Sequence, residues 1–112
     1  ETALADFLGT LALEENVKVS VERLARFEPV IFAPAIVAMV EEAAARRGLS
    51  TRRMTSGAGH DAQMIARIAP SAMIFVPSAG GISHNPREYT SDAELIAGAE
   101  VLLDVVARLA GC

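Results

Sequence analysis

From Pro34 onward the chain switches repeatedly between helical and strand-like apolar spacing, and that alternation restricts its fold more than any other feature. Pro34 suits a first helical position, where its missing N–H costs nothing. Ile36, Val37, Val40 and Ala44 then recur at helical spacing up to Arg47. Glu41 and Glu42 lie on the outer side, and Arg46 and Arg47 sit where cations complement the helix dipole. Gly48 is expected as a left-handed cap, with Leu49 as the apolar residue after it. Residues 50–55 read as a short strand. Residues 60–68 read as a helix with Met64, Ile65 and Ile68 toward the core, and Pro70 forbids its continuation. The apolar run 72–76 reads as a buried strand. Ser91 with Glu94 three residues later is a capping box. Leu95, Ala99, Leu102, Leu103, Val106 and Leu109 then run down one face to Gly111. Helix, strand, helix, strand, helix is the order of an α/β fold.

Before Pro34 the pattern differs. Residues 2–13 read as a helix with Leu4, Phe7, Leu8 and Leu11 on one stripe, and Asn16 is a plausible terminator. Residues 17–24 alternate, with Val17, Val19 and Val21 opposite Lys18, Ser20 and Glu22. That is the pattern of a half-exposed, antiparallel strand. Pro29 and Pro34 then prevent a central strand. An extended connector with a domain boundary inside 24–33 follows from them.

The net charge of −4 argues against non-specific nucleic-acid binding, which needs a basic surface. No apolar run is long enough to span a membrane, and no basic n-region of a signal peptide precedes the first helix. The single cysteine, Cys112, is the last residue, which excludes a disulfide framework and a cysteine metal site and fits a reducing compartment. The chain enters helix-like sequence at Glu1, so it reads as a piece excised from something longer.

Two loops carry the chemistry. One is Gly80-Gly81-Ile82-Ser83-His84-Asn85-Pro86-Arg87-Glu88-Tyr89, between the run 72–76 and the last helix. The other is Ser56-Gly57-Ala58-Gly59-His60-Asp61-Ala62. Each places one of the chain's two histidines at a strand-to-helix junction, where open α/β sheets bind ligands. Imidazole is a common metal ligand, but a loop histidine bonded to backbone is the plainer reading. His84 and Glu88 are four apart, yet Pro86 between them opposes a regular helix. Zinc needs three or four ligands, and this sequence has no cluster at ligand spacing. In the other loop, glycines let backbone approach a ligand, and His60 could donate to a substrate oxygen. Asp61 could orient an imidazole or support a metal ligand. A tight turn with Asp61 favouring a helix start accounts for the same residues.

The run Ser56-Gly57-Ala58-Gly59-His60-Asp61-Ala62-Gln63, then Met73-Ile74-Phe75-Val76-Pro77-Ser78, then Gly81-Ile82-Ser83-His84-Asn85-Pro86 with Glu88 resembles a known family. It is similar to the C-terminal part of the zinc-dependent N-carbamoyl-L-amino-acid hydrolases and allantoate amidohydrolases, within the dinuclear-zinc aminoacylases and carboxypeptidases. The resemblance covers nearly the whole chain. It implies that residues 1–32 end a lid and dimerisation domain of α+β type and that residues 33–112 are the returning half of a catalytic α/β sheet domain. It implies His84 as a metal ligand. Ser83, Asn85, Glu88 and Asp61 would be supporting residues, and Gly57, Ala58, Gly59 and His60 would line the substrate pocket. Two divalent metals per full-length subunit are implied, Zn2+ or Mn2+, Co2+ or Ni2+. They would activate a water that a glutamate deprotonates. That glutamate and the other ligands belong to the family's N-terminal half, so the chain alone is expected to be inactive and to hold no metal stably. The substrate would be a small carbamoyl or ureido acid, and the enzyme a cytoplasmic homodimer. A metallopeptidase or deacylase of the same superfamily, or a non-catalytic dimerisation module, stays open.

Overall fold

A computed structural model of the chain describes residues 2–111; Glu1 and the lone thiol, Cys112, lie outside them. Among the described residues there are four α-helices: α1 (Thr2–Glu14), α2 (Pro34–Arg46), α3 (Asp61–Ile65) and α4 (Asp92–Ala110). A single turn of 3-10 helix, Ala79–Gly81, lies between α3 and α4.

Local chemistry sets the helix ends. Pro34 opens α2. At its other end Gly48 has φ +70°, and Leu49 N–H reaches back to the Ala44 carbonyl at 3.0 Å. That is a Schellman closure, which needs a left-handed residue at the glycine. Asn16 closes α1 in the same way at φ +49°, with Val17 N–H on the Ala12 carbonyl at 3.0 Å. At α4 the Ser91 hydroxyl accepts from Glu94 N–H, and the Glu94 carboxylate accepts from Ser91 N–H. This reciprocal exchange satisfies two N–H groups that a helix start leaves orphaned. It also holds the Glu94 carboxyl below the usual carboxylate range, chiefly through the Ser91 hydroxyl. Helix α3 is shorter than expected, ending at Ile65 rather than 68. Turns over 66–68 follow before Pro70.

The core is small and lies between α2 and α4. Ala43 and Ala44 of α2 are buried against Val101 and Val105 of α4, with Ile36, Met39, Val40 and Ile74 packed around them. This corrects the expected face of α4. Leu95, Leu102, Leu103, Val106 and Leu109 are all half exposed or more, and the helix turns a different stripe inward. Met64, Ile65 and Ile68 are likewise exposed. Ile36, Val40, Ile65, Ile74, Leu102 and Val106 share an open apolar groove of about 490 Å³.

The three expected strands, 17–24, 50–55 and 72–76, are not formed in this chain by itself. Among the described residues no β-strand is present. A strand is defined by a hydrogen-bond ladder, and these segments find no neighbour to pair with. One backbone bond, Ala33 N–H to the Ser71 carbonyl at 2.9 Å, ties the start of α2 to the third segment. The chain is correspondingly open. Its radius of gyration is 20.1 Å, against about 13 Å for a compact chain of this length. Its surface is 9079 Å², where a compact chain would expose about 5,900 Å². Helix α1 packs against no other helix among the described residues. No helix of the described residues is long and apolar enough to cross a membrane.

Arg47 clamps the helix pair. Its Nε and one terminal nitrogen donate to Asp104 at 2.7 and 2.9 Å, and its other terminal nitrogen donates to Glu100 at 2.7 Å. The forked guanidinium matches a carboxylate at two points, which a lysine cannot do. Arg108 reaches Glu42 across the same seam. The Arg47 hydrogen bonds hold the Asp104 carboxyl below its ordinary range. A carboxyl depressed in the folded state contributes stability above its unfolded value, about pH 3.9, and loses it as pH falls through the folded value. Arg47→Met should therefore lower the urea midpoint at pH 7, and the gap from the parent chain should close as acid protonates Asp104. An undiminished gap at pH 2 would mean that packing, not charge, is what Arg47 supplies.

Candidate functional site

The first loop is closed at its neck. Ala79 N–H donates to the Tyr89 carbonyl at 2.8 Å, and the Thr90 hydroxyl donates to the Pro77 carbonyl at 2.8 Å. The Ser78 hydroxyl donates to the Ile82 carbonyl inside this ring. Gly80 and Gly81, at φ +65° and +68°, let the chain turn there at no steric cost.

His84 sits at the tip with φ +54°, a left-handed conformation that side-chain-bearing residues seldom adopt. The Glu88 carboxylate holds it by accepting the His84 backbone N–H at 2.8 Å. Asn85 braces the same turn: its carbonyl accepts Glu88 N–H at 2.9 Å, and its Oδ1 accepts Arg87 N–H at 3.0 Å. The four-residue spacing of His84 and Glu88 is thus used without a helix. Glu88 grips the backbone of His84, which leaves the imidazole itself uncommitted to Glu88. Ser83 is exposed beside it.

The second loop leads into α3. The His60 imidazole Nε2 lies 2.7 Å from the Ser56 hydroxyl, and that hydroxyl accepts Ala58 N–H at 3.2 Å. The ring also meets Phe75 edge-on, with centroids 5.7 Å apart. Gln63 Oε1 accepts His60 N–H at 3.1 Å, a cap at the same spacing as Ser91 and Glu94. Phe27, Gly59, His60, Asp61, Gln63 and Met64 line a cleft of about 330 Å³. Gly59 and His60 are therefore brought to a cleft wall with Asp61, whereas Gly57 and Ala58 lie outside that lining. A side chain at Gly57 would meet nothing within 4 Å, so no steric demand for glycine operates there.

Phe27 and Met64 in this wall, and Ser56 and Phe75 as the contacts of the His60 ring, were not singled out from the sequence. Ser56 was findable, being four residues before His60 and flanked by glycine. Phe27 was not, since it arrives from the connector across long sequence separation.

The donor chemistry at His84 suits a divalent metal, but one imidazole is one ligand. Among the described residues no group of three His, Cys, Asp or Glu side chains converges to hold an ion. His84 fits as a single member of a set whose remainder this chain does not bring together.

Residues 5–108 match the profile of peptidase family M20/M25/M40. The chain is 43% identical over 103 residues to the allantoate amidohydrolase of Bacillus subtilis strain 168, covering 92% of this chain and 25% of that protein. It is 44% identical over 91 residues to the N-carbamoyl-L-amino-acid amidohydrolase of Rhizobium meliloti, covering 81% of this chain and 22% of that protein. A solved amidase of the hydantoinase/carbamoylase family from Burkholderia vietnamiensis superposes with a TM-score of 0.88 at 42% identity, over 93% of this chain and 25% of that one. The chain thus spans about a quarter of the length of the curated relatives it matches. A profile match over almost every residue, with the backbone following that of a solved amidase, settles the lineage: the chain belongs to peptidase family M20/M25/M40.

Proposed function

We propose that this chain is the C-terminal quarter of a metal-dependent amidohydrolase that cleaves the carbamoyl or ureido C–N bond of N-carbamoyl-L-amino acids or allantoate. The observation that supports this most is continuous identity of 43–44% to two proteins named for those activities. Residues 1–32 would close a lid and dimerisation domain, and residues 33–112 would return to the catalytic domain. Segments 50–55 and 72–76 would become strands once sheet neighbours from the rest of the protein lie beside them, giving an α/β domain.

His84 would contribute one ligand to a divalent metal, zinc or else manganese, cobalt or nickel. Such a metal supplies Lewis acidity that lowers the pKa of a bound water. The chain's own residues would do the rest of the positioning. Glu88 and Asn85 fix the His84 turn, so the imidazole is presented from a preset backbone. Ser83 would flank it. Gly57, Ala58, Gly59 and His60 would form a wall against the substrate, with Asp61 beside it. Phe27 and Met64 add apolar surface to that wall. The exposed apolar stripe of α1 would be buried in a homodimer; Leu4 and Phe7 are each 61% exposed here.

Substrate profiling of the full-length enzyme tests the reading. N-carbamoyl-L-amino acids or allantoate should release ammonia, at least tenfold faster than dipeptides or N-acyl amino acids are cleaved. Turnover of dipeptides alone would instead make it a peptidase of the same family. No turnover of any of these by a well-folded, metal-loaded protein would leave the dimerisation-module reading standing.

A further inference from the structure

We propose that Thr90 is a positioning residue for His84: its hydroxyl latches the exit of the loop to its entry, so that the imidazole is presented from a closed loop before any metal arrives. The loop leaves the segment 72–76 through Pro77 and ends at Thr90, one residue before Ser91, the N-cap of α4. Two bonds tie entry to exit. Ala79 N–H donates to the Tyr89 carbonyl at 2.8 Å, and Thr90 Oγ1 donates to the Pro77 carbonyl at 2.8 Å. Proline has no N–H, so at its end of the neck the backbone can only accept. The next backbone donor along, Ser91 N–H, is already committed to the Glu94 carboxylate at 3.1 Å. The Thr90 hydroxyl thus supplies the second bond of the neck from a side chain. Two further side chains close the loop above it. The Ser78 hydroxyl donates to the Ile82 carbonyl, and the Glu88 carboxylate accepts His84 N–H; each joins residues four apart, and neither spans the neck. The Ser78 hydroxyl approaches the Tyr89 carbonyl only at 3.4 Å, so without Thr90 the neck rests mainly on one bond. Thr90 is half-buried, whereas His84 and Glu88 are exposed at the tip. The latch refers that tip to α4, which Val101 and Val105 anchor in the core. That His84 then meets a metal rests on the amidohydrolase reading above; the closed loop does not.

The experiment is amide hydrogen exchange on the full-length protein stripped of metal, paired with titration by zinc alone against a chelating dye. Residues 79–88 of the parent should be protected without metal. Thr90→Val keeps the side-chain shape and removes the hydroxyl. It should speed exchange across 79–88 by about three- to tenfold, the effect of one lost hydrogen bond, and leave α2 unchanged. Thr90→Ser keeps the hydroxyl and should keep the protection. Zinc binds only the fraction of loops already closed, so its affinity should fall in Thr90→Val by no more than the exchange factor, and Thr90→Ser should recover it. Residues 79–88 unprotected in the metal-free parent, or no faster in Thr90→Val, overturn the proposal. So does faster exchange spread equally over α2 and α4, which is loss of the fold rather than of a latch. A zinc affinity that stays level in Thr90→Val removes the positioning role, and one that falls beyond the exchange factor makes Thr90 a metal contact instead. Zinc binding that His84→Gly leaves unchanged is failure of the amidohydrolase reading, told apart because no metal enters the exchange measurement.

Discussion

His84→Gly in the full-length enzyme is expected to abolish turnover and to cut metal affinity by more than about 10–100-fold, the range for losing only a supporting neighbour of a metal ligand. The backbone should tolerate the change well. His84 is held at φ +54°, where a residue with a Cβ bears about 1–2 kcal/mol of strain. Glycine is free of that strain, so the unfolding midpoint should hold or rise slightly as activity vanishes. His84→Ala removes the same imidazole but keeps the strain, and should be the less stable of the two. Metal content after dialysis, read beside the denaturation curve, separates ligation from folding. Retention of about two metals per chain by His84→Gly would remove His84 from the coordination sphere. The comparison with Glu88 sharpens this. Glu88 holds the His84 backbone N–H at 2.8 Å, so Glu88→Ala should weaken metal binding only in part, and Glu88→Gln, which keeps an acceptor oxygen, should restore most of it.

The elements that the sequence disclosed are those whose signals are local. Pro34, Gly48, Ser91 and Glu94 each determine a helix end by chemistry within four residues, and each is found where that chemistry puts it. The inward face of α4 was not legible, because the helix carries large apolar groups nearly all round. Leu95, Ile96, Leu102, Leu103, Val106 and Leu109 compete with Val101 and Val105, and periodicity cannot rank stripes of equal strength. Packing against α2 decides between them through Ala43 and Ala44, whose small side chains admit the two valines. The expected strands do not form among the described residues for a related reason. A run such as 72–76 has strand-like composition, but its ladder partners are non-local and do not occur among the described residues. At the candidate site the residue identities of both loops were readable, while their couplings were not. Glu88 acts through a backbone N–H, and His60 is gripped by a serine on the far side of its ring.

Gly98→Ala is expected to destabilise the fold by about 1–3 kcal/mol, the usual cost of overpacking a filled site. Helix propensity alone predicts the opposite sign, since alanine in a helix interior gains about 0.5–1 kcal/mol over glycine. Sterics should prevail because a Cβ at Gly98 would stand 2.4 Å from Val76 Cγ1. Valine is stiff about χ1, so Val76 cannot swing aside cheaply, and either α4 or the segment 72–76 must move. That movement has a route to the site. Val76 is followed by Pro77 and Ser78, and the latter closes the neck of the His84 loop. A shift imposed at Gly98 should therefore reach the His84 turn as well as the core, and in the full-length protein, if His84 is the ligand proposed above, should lower metal affinity along with the unfolding midpoint. Val76→Ala removes the obstructing methyls and should rescue Gly98→Ala, so that the double variant is more stable than the sum of the single losses requires. Gly98→Ala chains as stable as the parent would show that α4 does not rest on residue 76, and additive losses in the double variant would show that the two positions are not in contact.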